Sequence, residues 1–239
     1  MSQTTKAIVL TSLKYGDNSL IVKLLTEKAG LQSFMLKGIL KSRRGRLKVA
    51  FFQPLTQLEI VAKTNKPGTL GYVREASISY GYHSIPTDIR KGAIALFLAE
   101  VLSQSIREQE AEPQMYQYVE TTLQWLDQNE EIGNFHIRFL IGLTRYLGFY
   151  PDLSTTEGAY FDLVEGAFCN DASWNPCFGG PELDYFKRLL GTNFDALHTV
   201  KLNQNQRKIL LENLVRYFEI HLHGFKKPKS LVVLDEVFS

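Results

Sequence analysis

Within residues 37–48 stand six cations and no acid: Lys37, Lys41, Arg43, Arg44, Arg46 and Lys48. Gly38, Ser42 and Gly45 punctuate the run, so its side chains can follow a phosphate backbone. A polyanion is the ligand such a segment fits. Each phosphate neutralised releases condensed counterions, and that release supplies affinity without reading sequence. Nothing in the run is arranged for base edges, so little sequence preference is expected. A solvated loop without a ligand is the plain alternative, and the distribution of charge weighs against it. Residues 1–80 carry 13 Lys and Arg against 4 Asp and Glu, a net of +9, whereas residues 81–239 carry a net of −7. A basic end on an acidic remainder points to nucleic acid bound at that end. Phe34, Phe51 and Tyr72 are the aromatics near enough in sequence to stack on bases, and at least two of them are expected in the core instead.

Residues for catalysis are harder to find. There is no GxSxG elbow, no GxxxxGK[ST] phosphate loop and no HExxH. Asp162 with Glu165 and Asp235 with Glu236 are acid pairs lacking a basic neighbour of the kind nuclease motifs carry. His221 and His223 sit two apart, which on a helix turns their side chains roughly 200° from one another. Cys169 and Cys177 are the only thiols. A structural zinc site takes four Cys or His with short gaps inside each pair, and two Cys eight apart do not supply it. No catalytic residue and no metal ligand is assigned, no cofactor is expected, and the protein is expected not to be an enzyme.

These residues are positioned by two kinds of element. The first 80 residues read as five short strands, within Lys6–Leu13, Leu20–Leu24, Leu31–Lys37, Leu55–Ala62 and Leu70–Ser79. Leu20, Val22 and Leu24 share one face, and so do Leu58, Ile60 and Ala62. Five antiparallel strands of this size close into a small barrel, and a five-stranded oligonucleotide-binding (OB) barrel is the expectation; an SH3-like barrel is the competing closure. Past residue 80 the period changes. Pro86-Thr87-Asp88 starts a helix with Thr87 as its N-cap, and Ile94, Phe97, Leu98, Val101 and Leu102 form its apolar stripe. Pro113 opens a second helix, to about Asp127, striped by Tyr116, Val119, Leu123 and Leu126. Phe135–Phe149 is a third, apolar nearly all round and stopped by Gly148 and Pro151. Residues 152–181 read as an irregular insertion holding a hairpin at Tyr160–Phe168. Helices return at Pro181–Leu190 and Asn203–His221, and Leu231–Phe238 closes the chain. The expected fold is α+β, with an OB barrel over residues 1–80 and an α-helical domain over 81–239.

At 239 residues and 44% hydrophobic, with two Cys, the chain is neither disordered nor a disulfide scaffold. MSQTTKAIVL lacks the apolar run of a signal peptide, and no stretch approaches the roughly 20 apolar residues of a membrane span. No membrane association is expected, and the protein is read as cytoplasmic and nucleoid-associated.

Taken in order, Ala7-Ile8-Val9-Leu10, Gly16-Asp17-Asn18-Ser19-Leu20, Thr26-Glu27-Lys28-Ala29-Gly30, Lys37-Gly38 and Gln53-Pro54-Leu55 form a spaced set in the first third. Ala99-Glu100-Val101-Leu102, Arg138-Phe139-Leu140, Leu147-Gly148-Phe149 and Lys227-Pro228-Lys229-Ser230 continue it. In this order and spacing the chain resembles, almost end to end, the bacterial RecO family of recombination-repair mediators. The resemblance implies an OB barrel followed by a helical domain. It implies binding of single- and double-stranded DNA, annealing of complementary strands, and help in loading recombinase on strands coated by single-strand-binding protein (SSB), alongside the partner RecR. It also implies that the helix matching Arg138–Phe149 contributes to a site for the SSB C-terminal tail. Arg138 keeps a basic family position there and Leu143 an apolar one, and Arg145 lies on the same face as Arg138. Many relatives carry four Cys after the segment matching Gly148–Leu153, where this chain reads Asp152-Leu153-Ser154-Thr155-Thr156-Glu157-Gly158. The zinc is accordingly not carried over. Read without the resemblance, the basic loop would equally serve an RNA-binding OB protein of ribosome maturation or translation.

Overall fold

The computed structural model describes residues 2–41, 47–63, 69–107, 110–172 and 174–238. It is an α+β fold in which a five-stranded antiparallel sheet precedes the helices. Strands β1 (Gln3–Tyr15), β2 (Ser19–Thr26), β3 (Gly30–Leu36), β4 (Gln57–Lys63) and β5 (Tyr72–Tyr80) lie in the order β3-β2-β1-β4-β5. The long β1 is the hinge of this sheet. Its first half pairs with β4 and its second with β2, and the register slips between Val9 and Thr11, a bulge that bends the strand. Leu20, Val22 and Leu24, and Leu58, Ile60 and Ala62, point into one core with Phe34, Leu36 and Phe52, as their alternation requires. β3 and β5, the two edges of the ladder, meet at one pair, a parallel bridge between Phe34 and Gly71. There Met35 N donates to Gly71 O and Gly71 N to Ser33 O, both at 2.9 Å.

Two compact units are present, residues 1–127 and 128–239. Buried polar contacts explain why α1 (Ile89–Ser105) and α2 (Pro113–Gln128) group with the sheet. Gln57 of β4 is fully buried; its amide donates to Glu120 O and accepts from Gln124, both on α2. Asp127, 4% exposed, accepts from the backbone N–H groups of His83, Ser84 and Ile85 at 2.8–3.1 Å. Lys91 of α1, fully buried, donates to Ser84 Oγ at 2.6 Å and to Asp127 O at 3.0 Å. The segment leaving β5 is thus clamped between two helices. The N-cap of α1 is Asp88, whose carboxylate accepts from Arg90 N and Lys91 N, and not Thr87, whose hydroxyl turns back to Ser84 O.

The second unit holds α3 (Phe135–Tyr146), a small sheet of β6 (Tyr160–Asp162), β7 (Ala167–Cys169) and β8 (Cys177–Gly179) in the order β7-β6-β8, then α4 (Pro181–Leu190), α5 (Gln204–His221) and α6 (Leu231–Val237). α3 stops a turn earlier than its apolar run, because Gly148 enters the left-handed region at φ 83°. The expected hairpin is β6–β7, and β8 adds a third strand to what reads as irregular sequence. Phe161 sits at the centre of this unit, its ring 4.9–5.6 Å from those of Phe168, Phe178, Phe186 and Tyr217. Asn203 closes a full capping box on α5.

Burial is the largest influence on the Asp127 carboxyl and pushes its pKa up, but the N–H donors of His83, Ile85 and Ser84 together with the Ser84 hydroxyl outweigh it and hold the group below its ordinary value of 3.8. The folded protein therefore binds this proton less readily than the unfolded chain does. The carboxylate's contribution is fully present above the unfolded chain's value near 3.8 and is lost as pH falls through and below it. Asp127→Ala takes the acceptor from three backbone donors, that of Ile85 buried and those of His83 and Ser84 partly so, and should cost about 2–3 kcal/mol at pH 7. Urea denaturation should show the gap to wild type narrowing between pH 5 and pH 3; a gap independent of pH would assign the loss to packing alone.

Candidate nucleic-acid interface

The basic run leaves the sheet at the end of β3. Lys37, Lys41 and Lys48 are exposed; Arg43, Arg44 and Arg46 lie outside the described residues. Both flanks of the run are tied down. On the entry side Gly38, at φ 72°, turns the chain, Ile39 is 4% exposed in the sheet's core, and Leu40 N donates to Asn18 O in the β1–β2 turn at 3.1 Å. On the exit side a short 3-10 turn, Val49–Phe52, buries Phe52 in the same core. Lys48 Nζ lies 5.6 Å from the centre of the Phe51 ring. Apolar anchors thus hold the ends of a segment whose charges have no acid inside it.

Of the three aromatics considered for stacking, Phe34 is buried in the core and Phe51 packs against it. Tyr72, at the start of β5, is 42% exposed. Two more side chains on its outer face escape a reading of the sequence. Lys63 is the cross-strand partner of Tyr72 on β4, and Met35 follows Phe34 as Tyr72 follows Gly71 across the parallel bridge. Both placements depend on strand register, for which the local sequence carries no signal.

Elsewhere the described residues form no reactive cluster. Among the described residues no group of three or more His, Cys, Asp or Glu is placed to hold a metal ion. Cys169 on β7 and Cys177 on β8 are free thiols on either side of β6. Burial, with smaller help from Asp162, pushes the Cys169 thiol up, away from the thiolate a nucleophile needs. His221 stacks on Phe149 at 4.9 Å and its Nε2 lies 2.9 Å from Leu163 O, while His223 is exposed beyond the helix.

On α3, Arg138 and Arg145 share one face, seven residues apart. Arg138 is half-buried; its Nε donates to Thr192 O at 2.6 Å and its guanidinium lies 5.5 Å from the Phe194 ring. Its Nη1 is buried with no hydrogen-bond partner among the described residues. Arg145 is exposed, 4.5 Å from the Tyr150 ring. Leu143 is 0% exposed. It is an interior side chain of α3.

Residues 1–82 match the family model of the recombination protein O N terminal, and residues 86–231 match that of the recombination protein O C terminal. A protein named DNA repair protein RecO from Christiangramia forsetii is 46% identical over 98% of both chains. Its namesakes from Flavobacterium psychrophilum and Phocaeicola vulgatus are 43% and 34% identical over the full length of both chains. These matches place the chain among proteins of DNA repair and recombination. It belongs to the RecO family. No helix among the described residues is long and apolar enough to cross a membrane.

One titratable group on α3 has a measurable consequence. His136 is 3% exposed; burial, with the Arg207 charge as a lesser cause, pushes its pKa down from 6.5 to about 3. The unfolded chain takes up this proton first, so stability is intact above pH 6.5 and is lost as pH falls toward 3. Between pH 7 and pH 5 the loss from this residue should be about 2 kcal/mol. Denaturation at the two pH values should show that slope in the wild type and its absence in His136→Leu; an equal slope in both would place the acid sensitivity elsewhere.

Proposed function

We propose that this RecO-family chain is a non-enzymatic DNA-binding recombination mediator whose N-terminal sheet works as an OB barrel. It binds single- and double-stranded DNA, anneals complementary strands, and helps to load recombinase on SSB-coated strands together with RecR, in the cytoplasm at the nucleoid. The observation that carries this reading is the basic run of residues 37–48, held at both ends by Ile39 and Phe52 in the sheet's core. The Phe34–Gly71 bridge between the edge strands supports the barrel. The roles of RecR, SSB and strand annealing are supported by membership of the family.

Binding is through phosphates, so affinity should fall steeply with salt and vary little with sequence. Reversing Arg43, Arg44 and Arg46 to Glu should weaken DNA binding strongly without unfolding the protein. Removing about three phosphate contacts should flatten the slope of log K against log salt by about 2–3, since each contributes about 0.7–0.9. An unchanged slope in a folded variant would remove the loop from the binding site.

The SSB tail, acidic and ending in apolar residues, is proposed to dock on α3, with Arg138 and Arg145 receiving its carboxylates and Leu143 shaping the surface from beneath. The buried, unpartnered Nη1 of Arg138 supports this, because an acceptor brought by a ligand would satisfy it. Arg138→Ala should weaken binding of a tail peptide by about 1.5–3 kcal/mol, the scale of a charge-assisted hydrogen bond, and leave naked-DNA binding unchanged. Wild-type peptide affinity in both Arg138→Ala and Arg145→Ala would move the tail site to another surface.

A further inference from the structure

Where β5 begins, the backbone of Gly71 lies so close to the end of β4 and to β3 that a Cβ would stand 2.6 Å from Lys63 O and 2.9 Å from the Phe34 ring. Only glycine fits there, and the close approach it permits fixes the positions of its neighbours. The next residues in the two parallel segments, Tyr72 and Met35, come side by side on the outer face. Lys63, the cross-strand partner of Tyr72, stands on the same face from β4. Lys37, two residues past Met35, returns to that face at the end of β3. An aromatic ring and a thioether therefore lie between two exposed lysines. Beside them is a cavity of about 410 Å³ whose walls include Met35, Leu36, Lys37, Gly71, Tyr72 and Val73. That volume is in the range that accepts a small organic group.

This surface has a specific chemistry. A half-exposed tyrosine ring with sulfur beside it suits a flat aromatic partner. The flanking ammonium groups suit anions attached to that partner. A nucleobase still joined to its phosphates has both properties. A base inside a duplex does not, because its faces are already stacked and its edges paired. We propose that Tyr72 and Met35 form a seat for one unpaired base of a single strand, with Lys37 and Lys63 taking the adjoining phosphates. The inference rests on the DNA-binding reading and adds to it a means of telling strand from duplex.

The test compares two ligands of equal charge: an oligothymidylate of about 16 nucleotides, the upper end of what one OB fold covers, and an abasic strand of the same length. Fluorescence anisotropy with the full chain should show the wild type favouring the base-bearing strand. Tyr72→Ala should lower that affinity by about 5- to 150-fold, the range for loss of one stacked base. Its affinity for the abasic strand and for duplex, and its salt slope, should stay at wild-type values. Tyr72→Phe, which keeps the ring, should bind as the wild type does. Equal wild-type affinity for the two strands would overturn the base seat while leaving phosphate binding in place, and so would Tyr72→Ala matching wild type on oligothymidylate. Wild-type binding to neither strand nor duplex would overturn the DNA-binding reading itself.

Discussion

The two edge strands of the five-stranded sheet meet at a position with no room for a side chain. Gly71 lies between the carbonyl of Lys63 on one side and the Phe34 ring on the other. The two hydrogen bonds across that point fix β3 against the start of β5. Adding a methyl group would push the strands apart and separate Tyr72 from Met35. The same approach determines where the basic run departs, because Lys37 is one residue beyond β3. Position 71 thus sets the outer face of the sheet and the starting point of its cationic loop.

A second constraint lies at the junction of sheet and helices. Lys91 is fully buried and its ammonium group is held by the Ser84 hydroxyl and the Asp127 carbonyl. Asp127 in turn takes the N–H groups of three consecutive residues. Burying charge is costly unless each group is hydrogen-bonded, and here each member of the network satisfies another. Removing one leaves the others unpaired in the interior, which is why such a network resists piecemeal change. Its location explains the compact unit that runs to residue 127: the chain between β5 and α1 cannot leave α2 without exposing this set.

Much of this was legible because it is local. The alternating stripes of β2 and β4, the helical stripes of α1 and α2, and the punctuation by Pro113, Pro181 and Asn203 read directly from spacing. Lys91 stands three residues before Ile94 on the buried stripe of α1, but a lysine carries no sequence signal of an interior position. Thr87 and Asp88 both carry capping oxygens, and only the backbone turn at Ser84 makes Asp88 the N-cap of α1. β8 had no local signal, since three residues make a strand only against β6. Leu143 and Arg138 show the limit most clearly. Helical spacing puts Leu143 between two arginines in sequence, but packing turns it inward, and the ring of Phe194 and the carbonyl of Thr192 hold Arg138 in a half-buried setting that the sequence of α3 does not contain.

In the proposed DNA-binding role, the cations of residues 37–48 carry a bias of their own between the two forms of DNA. A cationic loop gains more from a duplex phosphate than from a single-strand one, because the duplex releases about 0.9 counterions per phosphate and the single strand about 0.7. With nothing else at work, the loop would favour duplex. A protein acting on both forms needs an offset that only a strand can supply, and stacking is the physical source of one: it contributes about 1–3 kcal/mol per base and is closed to bases already stacked in a helix. Stacking also responds weakly to salt, whereas the loop's contribution falls as salt rises. Loop and tyrosine would then divide the task, the first setting how tightly any phosphate backbone is held and the second setting which backbone is preferred, with the balance moving toward single strands as ionic strength rises.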